Sequence, residues 1–296
     1  MFEHLKNQIE HSLGLHANSY VTFPANMLYD QGALETYKDD LDRCHIYLVG
    51  WCEPVNVKSL RKVGKKVVIV ADIGAEERIA ELDTFTDARL DQPSDNDFCT
   101  AEGASVFFRG IHPSALHELG GQPFEVVYVG QAFGKNGERK AIDRLLEHKK
   151  LQEISLKGDA KGRQLTLLLL EVSTQKLFTV ITPKIQDDEI SDVQIQNGID
   201  KLHGTSEAER ISLYEAALIR YFYPSFNKIF KDSFPSTNLS VLSDCYKKDI
   251  GGVVAELCFD NFPFLLQSAR AKAEFYHIAK FNLHNENDRN IFFYGE

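Results

Sequence analysis

At 296 residues the chain is long enough to bury the core of one large domain or two of ordinary size, and no apolar run approaches the ~20 residues a membrane span needs. Hydrophobic residues make up 43% and charged residues 26%, the balance of a soluble globular protein, while a formal net charge of −10 excludes a surface that is basic throughout. The 5 cysteines (positions 44, 52, 99, 245 and 258) are odd in number, scattered and without a C-x-x-C, which argues against a disulfide framework and a zinc site.

The first residues, Met-Phe-Glu-His-Leu-Lys-Asn-Gln, lack the basic-then-apolar pattern of a secretory leader, so a cytoplasmic protein is expected. Cys44-His-Ile-Tyr-Leu-Val-Gly50 and Lys66-Val-Val-Ile-Val-Ala71 are short β-rich apolar runs, predicted as strands of one sheet with a basic segment between them. Asp72-Ile-Gly74 reads as a strand-to-helix turn leading into a short helix over Glu76 to Leu82. Asp91-Gln-Pro-Ser-Asp-Asn-Asp97 has linker composition and sets a domain boundary. Beyond it, Ser105 to Phe108 and Phe124 to Val129 are predicted strands, Glu138 to Glu153 a helix, and Gln164 to Val172 with Leu177 to Ile181 a β-hairpin. Asp187 to Gly204 is an acidic loop or short helix. Ser206-x-x-Glu209 is a capping box opening a helix that Pro224 closes. A strand over Val253 to Phe259 and a helix over Phe264 to Phe275 complete the chain. The expected organisation is α+β: an N-terminal α/β lobe over 1–100, a domain over 101–232 and a C-terminal extension over 233–296 packed on it.

The charge is unevenly spread. Residues 1–105 hold 18 Asp/Glu against 10 Lys/Arg, whereas residues 135–163 hold 9 Lys/Arg against 5 Asp/Glu. A local basic patch in an acidic chain is compatible with a nucleic-acid partner. Within it Lys140, Arg144 and His148 follow at i, i+4 and i+8 on a face away from the apolar stripe of Ile142, Leu145 and Leu146. Such a column can meet an anionic ligand, with Arg gripping phosphate through paired donors; it is also what a solvated basic face looks like. On the helix opened by Ser206, Glu215 falls at the margin of the apolar face, where a carboxylate needs a cation or hydrogen bonds to offset its desolvation.

Taken in order, Tyr128-Val-Gly130 at the end of a strand, Arg144, His148, Glu215 and the Pro224-x-x-Asn227 ending resemble the GIY-YIG nuclease superfamily, over roughly residues 103–230. The resemblance implies a GIY-YIG-like core, a small antiparallel sheet flanked by helices. It also implies a divalent-metal-dependent endonuclease acting on phosphodiester bonds, DNA ahead of RNA, in genome defence or DNA processing. By the same resemblance Glu215 would hold Mg²⁺ or Mn²⁺, and Arg144 would neutralise the phosphate. Tyr128 and His148 would handle or position the attacking water, and Gly130, Lys140 and Asn227 would contact substrate. The first element departs from the family: Gly103-Ala-Ser-Val-Phe-Phe-Arg-Gly110 offers Phe107 or Phe108 where a tyrosine is expected, and a phenylalanine carries no proton. That departure keeps a second reading open, a catalytically degenerate domain that binds nucleic acid or protein. A third is an unrelated α/β enzyme with its site in the 44–74 lobe. Residues 1–100 are the candidate surface for a protein partner or a homo-oligomer.

Overall fold

The computed structural model describes residues 9–35, 37–63, 66–83, 113–133, 141–147, 149–158, 160–181, 188–235 and 239–284. Among them the chain runs β1 (Ile9–Pro24), a 3-10 turn (Ala25–Tyr29), α1 (Gln31–Glu35), α2 (Lys38–Arg43), β2 (Ile46–Cys52), β3 (Val55–Val63), β4 (Lys66–Ile73) and β5 (Glu76–Asp83). It continues through α3 (Pro113–Glu118), β6 (Gln122–Gln131), α4 (Ala141–Leu146), α5 (Lys149–Lys157), β7 (Gln164–Val172) and β8 (Lys176–Ile181). Last come α6 (Asp188–Gly204), α7 (Glu207–Phe222), α8 (Ser240–Lys247), β9 (Gly252–Leu257), β10 (Phe264–Gln267) and β11 (His277–Asn282). The fold is α+β.

One mixed sheet organises the molecule, in the order β10-β6-β2-β7-β1-β9-β11, with β8 also paired to β1. β2 lies inside it, antiparallel to both β6 and β7, and all of its residues are buried. Its apolar run is continuous rather than alternating because both faces are covered. Ile46 and Leu48 enter a core beneath α7, while Tyr47, Val49 and Trp51 enter a second core with Leu145, Leu151 and Ile154 of α4 and α5. β1 pairs β8 along its first half and β7 along its second, with a register shift between Ala17 and Ser19 where the partner changes.

The expected boundary at 91–97 lies outside the described residues, and the sheet does not divide there. β1 and β2 come from the expected N-terminal lobe and pair with β7 and β6, while β9 and β10 of the expected extension pair with β1 and β6. What stands apart from residues 1–100 is a three-stranded meander, β3-β4-β5, inserted between β2 and β6. Val67, Ile69, Ala71 and Ile73 of β4 pack there against Ala115, Leu116 and Leu119, at and just beyond α3.

Several predicted elements change type. Glu76 to Leu82 is strand β5, not a helix. Its Glu and Ala residues have helix propensity, but Arg78, Ala80 and Leu82 alternate inward at period 2, and Gly74, at φ +62°, closes a hairpin rather than a strand-to-helix corner. The basic segment after Lys58 lies in β3 and at its hairpin with β4. β7 and β8 are strands as expected, yet both pair with β1. The helix predicted from Phe264 is strand β10, parallel to Gln122–Glu125 of β6. The Glu138 to Glu153 helix is described as α4 and α5, and the acidic stretch after Asp187 is the 17-residue α6. The Ser105 to Phe108 strand lies outside the described residues. The capping box at Ser206 is present in both directions, and Tyr223 ends α7 in a left-handed conformation before Pro224.

Candidate active site

The site is built at the free end of β6. β10 occupies one edge of β6 only from Gln122 to Glu125, leaving the edge groups of the next residues to be satisfied otherwise. The Phe226 N–H donates to the Val127 carbonyl at 3.0 Å. The Asn227 side chain accepts from the Val129 N–H at 2.9 Å and donates to the Val129 carbonyl at 2.8 Å. Two residues on, the Gln131 backbone donates to the Glu215 carboxylate. At alternate residues, then, α7 and the turn after it replace a missing strand, and this pins Glu215 to the sheet edge. Asn227, expected to contact substrate, has both halves of its amide engaged by backbone and is buried; its role is to hold β6 to the turn after α7.

A bulge aims Tyr128. Val49 pairs with Tyr128 and Gly50 with Val126, so Val127 is an extra residue on β6. Phe124 and Val126 face the core beneath α7; without the bulge, alternation would send Tyr128 there too. With it, Tyr128 joins Tyr47 on the face covered by α4 and α5. Tyr47 sits directly opposite Gly130, and a Cβ on Gly130 would lie 2.6 Å from the Tyr47 hydroxyl and 2.8 Å from the Tyr128 ring. The space that glycine leaves is filled by the two tyrosines, whose ring centroids are 6.2 Å apart, rather than being open to substrate.

Arg144 on α4 completes the group. It can only donate, so its hydrogen bond to Tyr47 makes the Tyr47 oxygen the acceptor and frees the Tyr47 proton for Tyr128, to which Tyr47 is hydrogen-bonded. Arg144 Nε is buried with no hydrogen-bond partner among the described residues. Burial pushes both phenols above their ordinary range; the Arg144 charge acts against this and the Glu215 charge adds to it. Burial likewise raises the Glu215 carboxyl from 4.5 to about 7, opposed by Arg144 and by the Gln131 amide.

Tyr128, Arg144 and Glu215, predicted from sequence, thus come together from three elements. Tyr47 joins them from a fourth element, β2, and is not among the residues expected from sequence. Its strand is legible, but some eighty residues and an inserted meander separate it from Tyr128, whereas the family resemblance points to 103–110 for the tyrosine partner. Those residues, with Phe107 and Phe108, lie outside the described residues, as do Lys140 and His148. The available signal was Ile46-Tyr47 opening an apolar run that ends in glycine, able to pair with Tyr128-Val-Gly130 in reverse.

Among the described residues no group of 3 or more His, Cys, Asp or Glu could hold a metal ion, so a cation here would rest on a single carboxylate and its own waters. The donor chemistry fits such an ion. Glu215 offers hard oxygens, and Arg144 offsets its desolvation only in part. No helix among the described residues is long and apolar enough to cross a membrane. Comparison with protein-family models, curated proteins and solved structures gives no match for this chain.

Proposed function

We propose that the chain is a divalent-metal-dependent endonuclease of GIY-YIG type that hydrolyses phosphodiester bonds in DNA. The observation that carries the reading is the meeting of Tyr47, Tyr128, Arg144 and Glu215 from β2, β6, α4 and α7. On this reading Tyr47 is the first-motif tyrosine, and the substitution expected at Phe107 or Phe108 loses its force as evidence for an inactive copy.

Each residue has a task in the proposed reaction. Arg144 meets the charge that builds on the phosphate as water adds. Arg144 also polarises Tyr47, which donates to Tyr128 and leaves the Tyr128 proton to orient the attacking water or the phosphate. Glu215 would hold Mg²⁺ or Mn²⁺, which when bound supplies charge neutralisation at the scissile phosphate and the leaving oxygen. Gly130 and Asn227 act as positioning residues, one making room for Tyr47 and the other fixing the strand that carries Tyr128.

The net charge of −10 favours a second reading, a non-cleaving module of the same type that binds nucleic acid or protein. Supercoiled plasmid incubated with the purified chain separates the two. Nicking or linearisation with Mg²⁺ or Mn²⁺, stopped by a chelator, is expected. Intact plasmid in both metals, together with measurable DNA binding, would select the module instead.

A further inference from the structure

Two cations meet on one aromatic ring where α7 ends. Tyr223 takes a left-handed conformation at φ 51° and ψ 51°, an uncommon geometry for a bulky residue that the surrounding structure must hold in place. Its ring carries the Arg270 guanidinium with Cζ 3.5 Å from the centroid and the Lys231 ammonium at 4.3 Å. Lys228 and Lys272 are exposed and close to these in sequence. Among the described residues these four cations form no ion pair, whereas Lys58, Lys66 and Lys150 each hold a carboxylate. The acid beside Lys231, Asp232, is engaged by Arg220 and by the Tyr223 hydroxyl, and Glu274 lies two residues beyond Lys272.

Stacking prepares the group for an anion. A guanidinium laid on an aromatic face is oriented by the ring while the N–H donors at its edge stay free for a planar pair of oxygens. The same segment reaches the candidate active site: Phe226 and Asn227, which dock on Val127 and Val129 to either side of Tyr128, lie between Tyr223 and Lys228.

We propose that Arg270, Lys231, Lys228 and Lys272 grip the phosphate backbone of duplex DNA alongside the site. The inference rests on the nuclease reading for the substrate it guides, but not for the binding itself. The chemistry is sequence-independent phosphate neutralisation, so it should appear in the salt dependence of binding.

Binding of the full chain to a short fluorescein-labelled duplex, followed by anisotropy across a salt series, tests it. The pairs Lys231→Ala/Arg270→Ala and Lys228→Ala/Lys272→Ala should each reduce the slope of log affinity against log salt by about 2, at ~0.9 per phosphate contact. Lys58→Ala/Lys66→Ala, on the β3-β4-β5 meander, should leave the slope unchanged. The second pair is exposed and independent of the Tyr223 ring, so a loss of folding in the first does not decide the matter. A wild-type chain that ignores duplex DNA, or a slope that neither pair alters, overturns the proposal. Binding with the expected slope changes but no cutting leaves the patch standing and removes the nuclease reading; cutting with unaltered slopes does the reverse.

Discussion

Glu215→Gln should stabilise the metal-free protein at alkaline pH and lose that advantage in acid. In the fold the carboxyl titrates at about 7 rather than 4.5, so between those values the folded protein holds a proton that the unfolded chain has released. Stability from this group is therefore fully present below the unfolded value and is lost as pH rises through the folded one. A displacement of that size, at about 1.4 kcal/mol per pH unit, amounts to roughly 3 kcal/mol, of which ~2.5 falls between about pH 5 and about pH 8.5. Glutamine mimics the protonated carboxyl and cannot titrate. Urea unfolding of both proteins in chelator at the two pH values gives the change in their difference directly, free of any constant offset from the substitution. Saturating Mg²⁺ at the higher pH should stabilise wild type and leave Glu215→Gln unmoved. A stability difference that stays level across this range would refute the claim that a desolvated carboxylate lies at the sheet edge.

Other substitutions test the parts separately. Asn227→Ala leaves the Val129 N–H and carbonyl without their partner, and urea midpoints should report a loss of about 2–4 kcal/mol. Gly130→Ala brings a methyl against the Tyr47 hydroxyl and the Tyr128 ring; a stability loss of about 1–3 kcal/mol with loss of cleavage is expected. Ser206→Ala removes the α7 capping box and should cost about 1 kcal/mol in the same assay without changing the cleavage rate per folded molecule. Tyr47→Phe keeps the ring but breaks the chain from Arg144 to Tyr128, so single-turnover cleavage should slow by ~10² or more while thermal unfolding shifts little.

Spacing along single elements was more legible than the pairing between them. Spacing alone puts Glu215 at the margin of an apolar helix face, and it is half-buried there. The same spacing puts Arg144 off the apolar stripe of its helix, and it reaches Tyr47. Periodicity could not show which strands would become neighbours. β2 and β6 pair across an insertion of some seventy residues, and loop-closure entropy rises too slowly with length for sequence to forbid that. The same ignorance made β1 invisible: its sixteen residues mix His, Ser, Asn and Gly with apolar ones because it serves three partner strands along its length. The bulge at Val127 was unreadable too, since it exists only relative to β2, yet it puts Tyr128 and Tyr47 on one face. For β5 and β10, helix-forming residues were overruled by pairing with β4 and β6.

Cleavage of an end-labelled DNA duplex under single turnover, by wild type and by Glu215→Gln in parallel with their binding to the same duplex, tests the central claim most directly. The account predicts internal cuts by wild type in Mg²⁺, none in chelator, and none by Glu215→Gln despite undiminished binding. Equal cutting by the two proteins would make Glu215 a structural carboxylate and contradict the proposed chemistry.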